Sequence, residues 1–138
     1  MINNRIFSVR RLILTQMKTT TNIKEAFKDA TDMAIDAAEE LQASDIMLLD
    51  IRMYQTFADY FIILTADSTR QMRAVSESIH RSLKTQGTRL YSREGDHHSG
   101  WVLLDYGYLV IHLFSPEDRE YFDLRGAWPE GKIIVFIQ

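Results

Sequence analysis

Asp96-His97-His98 places two imidazoles and a carboxylate side by side in the polar stretch Glu94–Gly100. These are metal-ligand types. Adjacent histidines in a loop rarely converge on one ion, however, and no H-x-x-x-H or C-x-x-C spacing supports them. They read as solvated loop residues. Asp45, Asp50 and Asp59 flank two short apolar runs. Acids at a strand end can hold Mg²⁺ for nucleotidyl transfer, but that chemistry needs carboxylates two apart on one strand face, beside a Gly-Ser phosphate loop. Asp45 and Asp50 are five apart, so they point to opposite faces and do not share an ion.

His112 stands alone in an apolar run. It reads as a core histidine, bonded to Asp105 or to a backbone carbonyl, rather than as a catalytic base. No G-x-S-x-G, P-loop or G-x-G-x-x-G is present. One constellation keeps a nucleotide-binding enzyme open as a rival. It consists of Asp59, Ser68 and Arg70, with Ser68 and the N–H groups of the following helix as an anion site. No residue is assigned a catalytic, metal-binding or cofactor-binding role, and no cofactor is expected.

The elements that would position these groups are legible in the apolar periodicity. Asn22 and Glu25 have capping-box spacing. Phe27, Ala30, Ala34, Ala37 and Leu41 then make one helical stripe, ending near Gln42, with Asp29, Asp32, Asp36, Glu39 and Glu40 opposite. Ile46–Ile51 and Tyr60–Thr65 are apolar on both faces, as central strands are when both sides are covered. Ser68 and Gln71 form a second capping box, and Met72, Val75, Ile79 and Leu83 mark the buried face of a helix stopped by Gly87. Arg70, Arg73, Arg81 and Lys84 give that helix a basic outer side. Leu90–Arg93, Val102–Asp105 and Tyr108–Phe114 read as strands. Ser115-Pro116 starts a short helix ending near Phe122. Ile133–Ile137 is a further edge strand or an apolar tail. The expectation is one α/β (α+β) domain over residues 22–138, with a mixed five-stranded sheet and flanking helices.

The chain has 138 residues, a net charge of −3 and no cysteine, which excludes disulfides and thiolate metal sites. No apolar run reaches the roughly 18–20 residues that span a bilayer. The charge is unevenly spread. Residues 1–24 carry Arg5, Arg10, Arg11, Lys18 and Lys24 and no acid, leaving 11 Lys/Arg against 19 Asp/Glu in the rest. A body of that sign repels phosphate backbones and would suit a basic partner, while charge alone reads first as simple solubility; no DNA or membrane partner is expected. The basic start has two readings. It is a mitochondrial presequence, which would place the protein in the matrix. Alternatively Met17 is the initiator, residues 1–16 are an upstream-start artefact and the protein is cytoplasmic; the short tail with one serine, Ser8, favours this. On either reading residues 1–21 are a basic tail outside the fold.

What remains is surface chemistry. Trp101, Tyr106, Tyr108, Tyr121 and Trp128 lie among acids, including Asp105 and Asp123. Exposed aromatics ringed by charge mark protein interfaces more often than catalysis, and the alternative for Trp101 and Trp128 is a place in the core.

Three motifs then come in order: ADYFIILTADSTRQMRA (58–74), GWVLLDYGYLVIHLF (100–114) and PEDREYFDLRGAW (116–128). Together they resemble the ribosomal silencing factor (Iojap-related) family over about residues 45–128. Ala66, Tyr108 and Gly126-Ala127 depart from the family pattern, and Tyr108 removes a negative charge from the contact surface. The resemblance implies a nucleotidyltransferase-like fold lacking catalytic carboxylates, and a non-enzymatic role. It implies binding to the large ribosomal subunit at its protein number fourteen, which would block joining of the small subunit and repress translation under nutrient limitation, often as a homodimer. Trp101, Asp105, Tyr106, Tyr108, Tyr121 and Asp123 are the expected partner-binding residues. A homodimeric scaffold paired through Ile133–Ile137 is the third possibility.

Overall fold

The computed structural model describes residues 22–138. The basic tail, and the side chains of the Asn22–Glu25 capping box and of Phe27, lie outside the described residues. Helix α1 (Asn22–Glu40) leads to β1 (Ser44–Asp50), a 3₁₀ turn (Arg52–Tyr54), β2 (Tyr60–Thr65) and α2 (Thr69–Gln86). β3 (Ser92–Glu94), β4 (Trp101–Asp105) and β5 (Leu109–Phe114) follow. The chain ends in α3 (Pro116–Phe122), α4 (Leu124–Ala127) and β6 (Lys132–Ile137).

Among the described residues the sheet has six strands, in the order β3-β4-β5-β2-β1-β6, one more than the five expected. β2 and β5 are parallel and every other pair is antiparallel. These two strands occupy the centre, as their apolar character on both faces requires. The additional strand is β6, which pairs with β1 and closes that side of the sheet.

Each face has its own core. On one, α1 and α2 cover Ile46, Leu48, Ile62, Leu64, Val102, Leu104, Ile111 and Leu113. Ala30, Ala34 and Ala37 bring α1 close to the sheet. Two parts of the expected stripe differ. Leu41 lies past the helix end and is exposed, and Asp32, expected on the acidic outer side, is buried. Ser68 caps α2 by accepting the Gln71 N–H at 3.0 Å. Gln71 returns Oε1 to Asp67 N–H and donates Nε2 to the carbonyls of Leu41 and Gln42, fastening the start of α2 to the end of α1. Gly87, at φ +90, ends the helix as expected.

The other face carries Met47, Leu49, Ile51, Phe61, Ile63, Val110 and Phe114. Short segments cover it in place of long helices: the 3₁₀ turn with Tyr54, and α3–α4 with Leu124 and Trp128. Arg119 fixes α3 here, donating from Nη1 to the Asp45 carbonyl at 2.9 Å and to Thr65 Oγ1 at 3.0 Å. Among the described residues no helix is long and apolar enough to cross a membrane.

Candidate partner-binding face

β4 shows why one part of this second face differs from the rest. Side chains alternate along a strand. Val102 and Leu104 point into the helix-covered core and are fully buried, whereas Trp101, Leu103 and Asp105 point the other way and are half-buried. β3 extends that surface, since Glu94 pairs with Leu103 and Ser92 with Asp105, and both are exposed. The short α3–α4 cover lies over the central strands and leaves this β3–β4 strip partly open.

Aromatic rings stiffen the strip. Trp101 packs against Phe114 at 4.9 Å and Phe122 at 4.6 Å between ring centroids. Tyr121, 81% exposed, stands edge-on to Phe122 at 5.0 Å. The Trp101 indole Nε1–H donates to His112 Nδ1 at 3.2 Å. His112 lies edge-on to Phe61 at 4.7 Å, and Phe61 to Trp128 at 5.4 Å. Trp101 therefore has a fixed ring orientation before any partner arrives, which lowers the entropy lost on binding.

His112 is a core histidine, but its partner is Trp101 and not Asp105. Burial pushes its pKa down to about 4, so the ring is neutral at pH 7 and Nδ1 accepts the indole proton. The Nε2 atom is buried without a hydrogen-bond partner among the described residues. Asp105 instead accepts the Gly107 N–H on Oδ1 at 2.7 Å, which shapes the tight β4–β5 turn. Gly107, at φ +86, supplies the left-handed backbone that the turn requires.

The expected contact residues do not form one patch. Trp101 and Asp105 occupy the two ends of β4, about 13 Å apart at strand rise. Tyr121 is the most exposed of the set, and Asp123 is exposed but also caps α4 by accepting the Gly126 N–H at 3.1 Å. Tyr106 is only 2% exposed. Its ring enters the helix-side core, its hydroxyl lies 3.5 Å from His80 Nδ1, and burial pushes its pKa up to about 12. Tyr108 also packs on the helix side, half-buried, with its pKa pushed up to about 12 by burial. Neither tyrosine shares the face that carries Trp101. Leu103, Glu94 and Phe122 do share it and were not among the expected contacts. The period-two pattern Trp101-Leu103-Asp105 is the signal that would have found Leu103.

The rival nucleotide site does not assemble. Asp59 and Ser68 lie beyond opposite ends of β2, and Ser68 Oγ is occupied by the helix cap. Asp50 is gripped by Arg52 through Nε and Nη2, at 2.8 Å in the shorter contact, and these bonds hold its carboxyl below the ordinary range. Asp45 lies at the far end of β1. No group of three or more potential ligands for a metal occurs among the described residues.

Comparison with known proteins gives a consistent picture. The family described as "Ribosomal silencing factor during starvation" matches residues 24–135. A Chromobacterium violaceum protein named ribosomal silencing factor is 33% identical over 101 residues, covering 73% of this chain and 83% of its own length. A Mus musculus protein named "Mitochondrial assembly of ribosomal large subunit protein 1" is 30% identical over 100 residues, covering 70% of this chain and 44% of its own length. A crystal structure of a Chromobacterium violaceum protein superposes with a TM-score of 0.70 at 34% identity, covering 79% of this chain and 90% of that one.

Proposed function

The chain belongs to the ribosomal silencing factor family, and on that footing we propose that it binds the large ribosomal subunit through a basic ribosomal protein and blocks joining of the small subunit. Protein number fourteen of the large subunit is the partner that this reading names. The role is repression of translation by occupancy and needs no chemical step. The mouse relative's name refers to assembly of the ribosomal large subunit, which agrees with a partner on that subunit.

The observation that carries the reading is the β4 strip. Trp101 and Leu103 are half-buried apolar groups on an open sheet face, framed by Glu94, Asp105 and the exposed ring of Tyr121. Aromatic anchors in such a setting supply most of the binding energy at protein interfaces. Acids around them steer a Lys/Arg-rich partner and fix its register.

The test is co-sedimentation of purified large subunits with wild type and with Glu94→Lys/Asp105→Lys/Tyr121→Ala. Binding weakened at least tenfold, with melting changed by no more than a few degrees, is expected. Wild-type affinity in a folded triple variant would remove the strip from the proposal. Trp101→Phe keeps the ring packing but deletes the indole donor, and should weaken binding less than the triple variant.

A homodimer is a second reading, favoured by β6. This edge strand exposes Ile133, Ile134 and Phe136, each close to half of its surface. Exposed apolar edges invite pairing with another chain. Light scattering on wild type and on Ile134→Lys/Phe136→Lys tests it: a dimeric mass that falls to the monomer in the variant supports pairing through β6, and a monomeric wild type rejects it.

A further inference from the structure

The side of the molecule that carries α2 and the outer side of β3 has the opposite charge from the β4 strip. Arg73, Ser76, His80 and Lys84 follow at intervals of three and four, so they line one side of α2 over about 16 Å. Arg93 reaches this line from β3, donating from Nη2 to Ser76 Oγ at 3.4 Å. Arg89 and Tyr91 lie in the connection between α2 and β3. The Arg89 guanidinium carbon is 5.4 Å from the centroid of the Tyr91 ring. Another edge of that ring lies against Gly107, where an added Cβ would come within 3.1 Å of Tyr91 Cε2. Tyr91 is therefore propped between a cation and the β4–β5 turn while 64% exposed. Arg73, Lys84, Arg89 and Arg93 are exposed as well, and the acid among them, Glu77, is ion-paired with Arg73 at 3.2 Å.

We propose that this surface binds a single-stranded stretch of RNA, with Tyr91 stacking on an unpaired base and Lys84, Arg89 and Arg93 meeting the phosphates. A groove of cations beside an exposed ring is the chemistry that holds single strands, because every base has a face to stack and every nucleotide a charge to neutralise. An RNA duplex offers the same phosphates but keeps its bases stacked internally, so it can use the cations and not Tyr91. An acidic polypeptide likewise uses only the cations. Beyond residue 24 the chain carries 11 Lys/Arg against 19 Asp/Glu, which opposes RNA on the fold outside this patch. Arg93 pairs with Leu104 and so points to the opposite side of the sheet from Trp101, Leu103 and Asp105, which lets the β4 strip and the Arg93 side be occupied together. The inference does not depend on the reading of the β4 strip.

Fluorescence anisotropy on the full 138-residue chain tests it, with a labelled 12-nucleotide oligouridylate and an RNA duplex of equal length at low salt. The basic residues of positions 1–24 contribute equally to wild type and variants, so the differences report the patch. Tyr91→Ala should weaken single-strand binding about 5- to 150-fold and leave duplex binding unchanged. Lys84→Glu/Arg89→Glu should weaken both by at least tenfold and flatten the salt dependence. Any of three results overturns the proposal: variants that bind like wild type, a Tyr91→Ala loss equal on both RNAs, or polyglutamate displacing the oligonucleotide at equal charge concentration. The last would make the patch a site for acidic protein. Failure to bind large subunits alongside Tyr91-dependent RNA binding would defeat only the silencing reading.

Discussion

Lowering the pH from 7 to 5 should cost the native state about 2 kcal/mol through one side chain, His112. This imidazole is 4% exposed, and burial holds its pKa down at about 4 against an ordinary 6.5. The folded chain therefore keeps the ring neutral where the unfolded chain has begun to protonate it. The contribution to stability is complete above pH 6.5 and is lost as the pH falls toward 4, with a limiting slope of about 1.4 kcal/mol per pH unit. The full shift corresponds to about 3 kcal/mol, of which about 2 falls between pH 7 and 5. Urea unfolding of wild type and His112→Asn at pH 7, 6 and 5 reads this directly. Asn can keep an acceptor for the Trp101 indole but does not titrate, so its stability should change much less over the window. Protonation also removes the acceptor that orients Trp101, so indole fluorescence should shift together with the loss of stability. Equal pH slopes for wild type and His112→Asn would refute the argument.

Three further outcomes are expected. Asp50→Asn should lower stability at pH 7 by about 1 kcal/mol, since Arg52 is mostly exposed and the pair is partly screened. The Asp50 carboxyl lies below its ordinary range, so its contribution is present above pH 3.8 and lost as the pH falls below that; the substitution should leave the pH 5–7 slope intact. Gly95→Ala should destabilise by about 1–3 kcal/mol, measured by thermal melting, because φ is +74 and an added Cβ would collide with the Trp101 carbonyl. Arg119→Ala should cost about 1–3 kcal/mol by leaving the Asp45 carbonyl and Thr65 Oγ1 without this donor. It should also increase amide exchange in α3, where Phe122 holds one side of Trp101.

Particular residues show what could be read in the sequence. Ser68 with Gln71, and Gly87 at the far end, announced α2 because caps are local chemistry. β2 and β5 were legible as central strands because both their faces are apolar, and they do lie at the centre of the mixed sheet. β6 remained ambiguous, since an apolar run after Pro129-Glu130-Gly131 does not say which strand it will join; its place beside β1 is a long-range outcome. The burial of Tyr106 is likewise a long-range outcome. Between Asp105 and Gly107 it looks like a turn residue, yet the turn tucks it beneath α2 against His80. The partner of His112 depended on register: Leu103 sits opposite His112, so Trp101, two residues away on the same face, reaches it diagonally while Asp105 is drawn into its own turn. The open strip itself follows from how little α3 and α4 cover, and a sequence pattern does not show where a short cover stops.

The central claim is tested most directly by mixing purified large subunits with the full chain, adding small subunits, and following whole-ribosome formation by sedimentation. Steric silencing predicts that the chain travels with the large subunit alone and that the joined peak falls in proportion to occupancy, without nucleotide or metal. A joined peak that forms fully while the chain stays bound to the large subunit would contradict it.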